Sequence, residues 1–295
     1  MSQSLREILE RFRDQAQNQR DKGTSFEHLC RAFFKHDATQ SVYFDEVWTF
    51  EEWAETQNLN RRDTGIDLVA RNAVDGTFTA IQCKFYASGA KISQQEIASF
   101  LANASKSYFS RRIIVDTTGG EWGVNAEELI ANQDPPVTRI GIEDLEGSNI
   151  VWSDFFASGG EVSFAAKKQL RKHQEEALEA VREGLQANDR GKLIMACGTG
   201  KTFTGLKIAE DLAGPGKKVL FMVPSLALMS QTVTEWNIDK GIELNCFAVC
   251  SDAQVGKKTG QGDYGDIQIY DLTYPATTNP RKLAEEVQKA NPDAM

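Results

Sequence analysis

Two short apolar runs constrain the fold of this chain more than any other stretch: Gly65-Ile66-Asp67-Leu68-Val69-Ala70 and Ala80-Ile81-Gln82-Cys83-Lys84-Phe85-Tyr86. Each has the length and apolar density of a buried strand. Val74-Asp75-Gly76-Thr77 between them supplies turn chemistry, so the pair is expected to form a hairpin. The polar residues inside the runs are out of place in a core. Gln82 and Lys84 are two apart and project from one face of their strand, and Asp67 interrupts the other run. Burying an amide without a partner costs roughly 2–7 kcal/mol, so a polar occupant is expected between these groups. A hydrated Mg²⁺ and a phosphate suit the space. Asp67 and the Gln82 side-chain carbonyl are hard oxygen ligands, the Cys83 backbone carbonyl is a candidate third, and Lys84 can hold an attacking water or offset developing charge.

Asp67 with Gln82-Cys83-Lys84 resembles the PD-(D/E)xK nuclease core, in the Asp…Gln-x-Lys form of its Mrr-like branch. The departure from the commoner pattern is Gln82, which stands in place of an acid. A neutral amide binds Mg²⁺ less strongly than a carboxylate, so a further acid is expected. Glu27, in the helical stretch Ser25-Phe26-Glu27-His28-Leu29-Cys30-Arg31-Ala32-Phe33-Phe34, is the candidate, since Mrr-like proteins are similar in placing a Phe-Glu pair on their first core helix. The resemblance implies Mg²⁺-dependent hydrolysis of DNA phosphodiesters, with Asp67, Gln82, Lys84 and Glu27 as the catalytic set. Asp67, Gln82, Cys83 and Glu27 would be the metal ligands.

Around this hairpin the pattern predicts an α/β layer fold. Leu5, Ile8, Leu9 and Phe12 have helical spacing, and Lys22-Gly23-Thr24 is expected to stop that first helix and cap a second. Phe44–Phe50 reads as a strand, Glu51–Thr56 as a short helical turn, and 58–64 as a polar loop whose Arg61 and Arg62 are candidate phosphate contacts. Ser93 with Glu96 three residues on starts a helix to about Lys106. Arg111–Asp116 is a strand, Asn125–Asn132 a helix and Val137–Gly141 a last short strand before Ile142-Glu143-Asp144-Leu145. The order helix, three strands, helix, strand, helix, strand is that of one sheet flanked by helices, and Mrr-like nucleases resemble it. Residues 1–156 are read as this domain, and the small-residue stretch after Phe156 begins a linker over 157–168.

The second domain, residues 169–295, is organised by Lys192-Leu193-Ile194-Met195-Ala196, expected as a short buried strand, followed by Cys197-Gly198-Thr199-Gly200 and Lys201-Thr202. Strand, glycine loop and helix start are in the order of a P-loop. Gly198, Thr199 and Gly200 would offer backbone N–H groups to ATP phosphates, Lys201 would reach the β/γ oxygens and the Thr202 hydroxyl would meet Mg²⁺. The stretch resembles the shortened loop of superfamily-two helicases. Upstream, Leu170-Arg171-Lys172-His173-Gln174 resembles the helicase segment whose Gln reads adenine, which makes Gln174 and Arg171 nucleotide-site candidates. Val219–Pro224, a second expected buried strand, with Ser225 is similar to helicase motif Ia, where Ser225 would touch a DNA strand. Ser251-Asp252 and Thr277-Thr278-Asn279-Pro280 resemble later translocase elements more distantly and read equally well as loops. No Asp-Glu-x-His pair follows Pro280, so an incomplete RecA-like lobe, unable by itself to turn over ATP, is expected.

Composition sets the remaining bounds. At 295 residues with 41% hydrophobic and 25% charged residues, the chain has room for about two domains of ~150 residues. No apolar run approaches the ~18 residues of a membrane span and the start has no signal-peptide core, so a cytoplasmic protein is expected. Cys30, Cys83, Cys197, Cys246 and Cys250 are an odd, scattered five, read as reduced thiols lying mostly in apolar segments. Cys246 and Cys250 lie four apart with no nearby His or second Cys pair, so zinc is not expected. The net charge of −9 argues against a free-standing duplex binder, whose affinity comes from Lys and Arg. Lys91, Lys106, Arg111, Arg112 and Lys167-Lys168…Arg171-Lys172 read as ordinary solvated faces.

Taken together, the two halves resemble the amino-terminal part of a type ISP restriction-modification enzyme. In that family one polypeptide carries nuclease, translocase, methyltransferase and target-recognition domains. The resemblance implies double-stranded DNA as partner, ATP and Mg²⁺ as cofactors, and the remainder of the same polypeptide as an intramolecular partner. Two other readings stay open at this point: a Mrr-helicase defence or repair protein without a methyltransferase, and a DNA-bound ATP switch with an inactive nuclease domain. A downstream Asn-Pro-Pro-Tyr motif would separate the first, and metal-dependent cleavage the second.

Overall fold

Strands buried on both faces read as continuous apolar runs, and the computed structural model of this chain shows why that pattern occurs here. It describes residues 4–15, 19–60, 65–120, 122–131, 133–250 and 272–295. The chain divides into two units, residues 1–165 with 250–278, and residues 166–249 with 279–295.

In the first unit, β1 (Phe44–Thr49), β2 (Leu68–Asn72) and β3 (Phe78–Lys84) form an antiparallel meander, and β4 (Phe109–Asp116) and β5 (Val137–Ile140) continue it parallel to β3. Alternate side chains enter two cores. Leu68, Ala70, Ile81, Ile113 and Val115 meet helices α1 (Leu5–Gln15) and α2 (Gln19–His36) through Leu9, Phe26, Leu29 and Phe33. Val69, Ala80 and Ile114 meet the opposite layer: Trp53 of α4 (Phe50–Thr56), Ile97 and Phe100 of α5 (Gln94–Asn103), and Ala126 and Ile130 of α6 (Val124–Ile130). The short helices α3 (Gln40–Tyr43), α7 (Ile142–Glu146) and α8 (Trp152–Ala157) complete the unit. The chain from 272 also packs here: Gln40 Nε2 donates to Thr273 O at 2.9 Å, and Tyr43 stacks on Tyr274. The expected order of core elements is therefore observed, as is the tight turn, where Gly76 N donates to Asn72 O at 2.9 Å.

Three local expectations are corrected. Lys22-Gly23-Thr24 lies inside α2, which begins at Gln19. A single interior glycine costs a helix only about 1 kcal/mol, and Phe26, Leu29, Cys30 and Phe34 on the same helix are all fully buried. The β2–β3 ladder starts at Leu68, not Gly65, because Gly65 turns at φ +71° and its carbonyl is taken by a side chain described below. Arg111 and Arg112 are not a solvated face. They sit on β4 between β3 and β5, 8% and 2% exposed. Arg111 donates to Thr138 Oγ1 at 2.9 Å, and Arg112 reaches the carbonyls of Leu101 and Pro135. Desolvation lowers the Arg111 guanidinium to about 10.

The second unit holds α9 (Lys172–Ala187), α10 (Lys201–Leu212), α11 (Leu226–Asp239) and α12 (Pro280–Lys289), with Phe203, Leu206, Ala209, Trp236 and Leu244 as its core. Lys168 joins it, its N–H donating to Asp239 Oδ1 at 2.9 Å and its ammonium 3.1 Å from the same carboxylate. The two expected buried strands are not seen: 192–196 and 219–223 have no strand assignment, and Ile194, Leu220 and Met222 are 80%, 84% and 83% exposed. A central parallel strand takes its hydrogen bonds and its cover from neighbours on both sides. An apolar run shows that cover is needed without supplying it.

Candidate active site

The site forms where β2 and β3 part. Their pairing ends at Leu68 opposite Ile81, whereas β3 stays paired to β4 as far as Lys84 opposite Asp116. Asp67 is held at the parting point by two backbone bonds: its N–H donates to Ile81 O at 3.0 Å, and its carbonyl accepts from Phe50 N at 2.9 Å. Its carboxylate then replaces the missing ladder partner, Oδ2 accepting from Cys83 N at 2.6 Å. N–H and C=O of one strand residue point the same way, so the Cys83 carbonyl is aimed to the Asp67 side as well. Lys84 O, on the opposite side, accepts from Thr117 N at 3.2 Å.

Gln82 is 5% exposed. Its Nε2 donates to Gly65 O at 2.8 Å, and its Oε1 is buried with no hydrogen-bond partner among the described residues. Most buried polar atoms in folded proteins are paired, so this carbonyl-type oxygen is a candidate ligand for a hard cation. Glu27 is carried on α2, which packs on the Cys83 and Phe85 face of β3, the face opposite Gln82 and Lys84. Phe26 stacks on Phe85 with centroids 5.2 Å apart, which sets the α2 turn carrying Glu27 against β3. The Cys83 thiol is pushed well above its ordinary value by burial first, then by Cys30 and by the negative charges of Asp67 and Glu27. No three His, Cys, Asp or Glu side chains converge into a metal-holding group among the described residues. Of the expected ligands, Asp67 meets the backbone N–H of Cys83 through Oδ2, and Gln82 Oε1 lies buried one residue before it.

Lys84 shares the Gln82 face of β3, half-buried, and its ammonium makes no hydrogen bond or ion pair among the described residues. Asp116, directly across on β4, is no rival ligand. Its Oδ1 accepts from Thr118 N and Oγ1, and its Oδ2 from Trp122 Nε1 at 3.0 Å and Arg139 Nε at 3.2 Å. Sequence reasoning missed three supports. Arg13 lies over the Phe85 ring and donates to Tyr86 O and Thr117 Oγ1. Tyr86 OH donates to Glu96 Oε1 at 2.6 Å. Only Glu96 carried a signal, as the acid three residues after Ser93. Arg61 and Arg62 fall outside the described residues, as do Ser251 and Asp252.

In the second unit, Gly198 and Gly200 take φ +75° and +80°, and Gly200 leads directly into α10 at Lys201. Lys201 Nζ and Thr199 Oγ1 both donate to Ala196 O, at 3.1 and 2.8 Å, while Thr202 O accepts from Trp236 Nε1 at 3.0 Å. Gln174 is buried against this loop: Nε2 donates to Thr199 O at 3.1 Å, and Oε1 accepts from Arg171 N at 2.9 Å. Both ends of the Gln174 amide are thus engaged with the protein, so here it braces the loop. The Arg171 side chain is exposed. Ser225 caps α11, accepting from Leu228 N, and Asn279 caps α12, accepting from Arg281 N and Lys282 N. Cys197 is exposed in the loop, unlike buried Cys30.

These two sites define a class: a nuclease domain of the restriction-endonuclease type followed by a helicase-like domain. Residues 35–161 match the restriction endonuclease family of Mrr catalytic domains, and residues 167–294 match the family described as type III restriction enzyme, res subunit. Over 97% of its length the chain is similar in structure to a type ISP restriction-modification enzyme. It is similar to the ATP-dependent type ISP enzyme LlaBIII bound to DNA, with 35% identity and a TM-score of 0.78 over 97% of this chain. It spans 17% of the LlaBIII chain. A nuclease-deletion mutant of the type ISP enzyme LlaGI, in complex with a DNA substrate mimic, is 42% identical over 41% of this chain and 11% of its own, with a TM-score of 0.32. Among curated proteins none matches. No described helix is long and apolar enough to cross a membrane.

Proposed function

We propose that the chain belongs to a cytoplasmic restriction-modification enzyme that cuts double-stranded foreign DNA with Mg²⁺ and uses ATP, through the Gly198–Thr202 loop, to move along it. The observation that supports this reading is the buried Gln82 Oε1, without a hydrogen-bond partner among the described residues and next in the chain to Cys83, whose N–H donates to Asp67 Oδ2 at 2.6 Å. Asp67, Glu27, Gln82 Oε1 and the Cys83 carbonyl would hold the ion. Bound there, Mg²⁺ would polarise the scissile phosphate and lower the pKa of its water. Lys84 would donate to a non-bridging phosphate oxygen or to the attacking water, offsetting developing charge. Asp67 also keeps β3 in place through Cys83 N, so it orients the row that carries Lys84. The remaining polypeptide would supply the second motor lobe and the methyltransferase and target-recognition domains, and Gly198, Thr199, Gly200, Lys201 and Thr202 would bind ATP and its Mg²⁺, braced by Gln174 and Arg171.

The test uses the complete gene product on supercoiled plasmid with ATP. Cleavage should stop in EDTA. Lys84→Ala and Asp67→Asn should each lower cleavage by roughly 10²–10⁴-fold while ATP hydrolysis continues, and Lys201→Ala should remove ATP hydrolysis. Wild-type cleavage by Lys84→Ala would sink the assignment of this active site.

A further inference from the structure

The wall of the cleft facing Gln82 and Lys84 is one edge of α5. That helix is fixed by Ile97 and Phe100, both fully buried. Glu96 and Ser99, one turn apart on it, lie along the row Gln82, Lys84, Tyr86 of the β3 face. Two contacts locate the edge independently. Tyr86 OH donates to Glu96 Oε1 at 2.6 Å. At the other end, a Cβ placed on Gly65 would lie 3.8 Å from Ser99 Oγ and 3.5 Å from Gln82 Nε2. Glu96 Oε2 accepts from Ser93 N at 2.6 Å, which is the helix-capping contact expected of an acid at this position. Capping needs one oxygen only. The other is turned inward to a phenol two residues from Lys84 on the same face.

Building on the active site proposed above, we propose that Glu96 is a positioning residue for Lys84: a fixed negative charge that orients the ammonium toward the scissile phosphate without binding the metal. Both Glu96 oxygens are engaged, by Tyr86 and by Ser93, so neither is offered to an ion. Glu96 and Lys84 form no direct ion pair, which leaves the ammonium hydrogens to substrate. The electrostatics agree with this placement. Burial pushes the Glu96 carboxyl up, but the bonds from Tyr86 and Ser93 and the nearby Lys84 charge outweigh it and hold it below its ordinary value. The Tyr86 phenol, desolvated and facing Glu96, is pushed up to about 12 and stays a donor.

Plasmid cleavage by the complete gene product, followed over a range of Mg²⁺ and of DNA concentration, tests this. Glu96→Gln removes the charge and keeps a polar side chain. It should lower kcat by roughly 10–100-fold, the usual cost of losing a group that orients a catalytic one. The DNA KM, the Mg²⁺ half-saturation point, the melting temperature and ATP hydrolysis should stay at wild-type values. Glu96→Asp, which keeps the charge, should recover much of the rate. Wild-type cleavage by Glu96→Gln overturns the proposal, as does a raised Mg²⁺ requirement like that of Asp67→Asn, which would make Glu96 a ligand. An equal loss in Glu96→Gln and Glu96→Asp with a lowered melting temperature assigns Glu96 to capping alone and also overturns it. Failure of the active site itself is read separately, from Lys84→Ala cleaving at the wild-type rate.

Discussion

Replacing Gln82 by Glu restores the acid of the commoner pattern, and the structure says what that exchange costs. Gln82 is 5% exposed and its Nε2 donates to Gly65 O at 2.8 Å. In Gln82→Glu the donor becomes an acceptor, so a carboxylate oxygen faces a carbonyl oxygen in a buried place. Leaving a buried acceptor unmatched costs about 1–3 kcal/mol. At about 2–4 °C per kcal/mol for a unit of this size, the melting point in EDTA should fall by about 2–12 °C. Mg²⁺ should reverse the order of effects. The ion neutralises the new carboxylate at the oxygen already aimed into the cleft, so added Mg²⁺ should raise the mutant's melting point more than it raises the wild type's. Scanning calorimetry of the complete gene product, in EDTA and then in excess Mg²⁺, reads both numbers. If the mutant melts with the wild type in EDTA, or if Mg²⁺ shifts both equally, Gln82 Oε1 does not face a metal site and the reasoning fails.

Three further outcomes follow from the geometry. In Gly200→Ala a Cβ would sit 2.6 Å from Gln174 Nε2 on a backbone at φ +80°; left-handed backbone costs a non-glycine residue about 1–2 kcal/mol, so binding of an ATP analogue should weaken roughly 5–30-fold by fluorescence titration. Asp116→Asn leaves Arg139 beside a neutral partner and should destabilise by roughly 3–5 kcal/mol in urea titration, yet its Mg²⁺ requirement should not change, because no Asp116 oxygen is offered to the cleft. Asp37 is buried and desolvation raises its carboxyl above 3.8 despite backbone bonds from Gln40 and Thr39; its folded form holds the proton more tightly than the unfolded chain, so its contribution is favourable below that value and is lost as pH rises through the raised one. Asp37→Asn should therefore gain on the wild type as pH rises across that window, and a difference independent of pH would contradict the assignment.

How much was readable from residues alone depended on whether the signal was local. The hairpin was readable because Ile81, Leu68 and their neighbours carry the pattern of strands covered on both faces, and because Asp75-Gly76 supplies the turn. Glu96 was readable halfway: its spacing from Ser93 identifies a helix start, but nothing in spacing says that its second oxygen turns toward Tyr86. Arg111 and Arg112 were misread because a guanidinium is buried only when distant carbonyls come to meet it, as Leu101 and Pro135 do for Arg112. Lys192–Ala196 was misread for the converse reason: its apolar run predicts cover, but cover comes from other segments. Gly198 and Gly200 were readable because the loop conformation is a property of the glycines themselves.

The amide at position 82 would make the proposed site depend on α2. A carboxamide has two different ends: Gln82 Nε2 fastens the Gly65 turn, and Oε1, buried without a hydrogen-bond partner among the described residues, is the end proposed to meet a cation. A carboxylate would do the second job better and could not do the first. In the proposed site the charge that Gln82 lacks would come from outside the hairpin, on Glu27, whose position depends on how α2 is seated. Phe85 sets that seating from the residue next to Lys84: Phe26 stacks on its ring at 5.2 Å, and the Arg13 guanidinium of α1 lies 4.7 Å from its centroid. In the proposed site, metal affinity and the placement of Lys84 would thereby be tied to one aromatic contact. A change that loosens Phe26 from Phe85 should raise the Mg²⁺ requirement even though neither ring touches the ion, whereas an acid at position 82 would make the hairpin self-sufficient and remove that dependence.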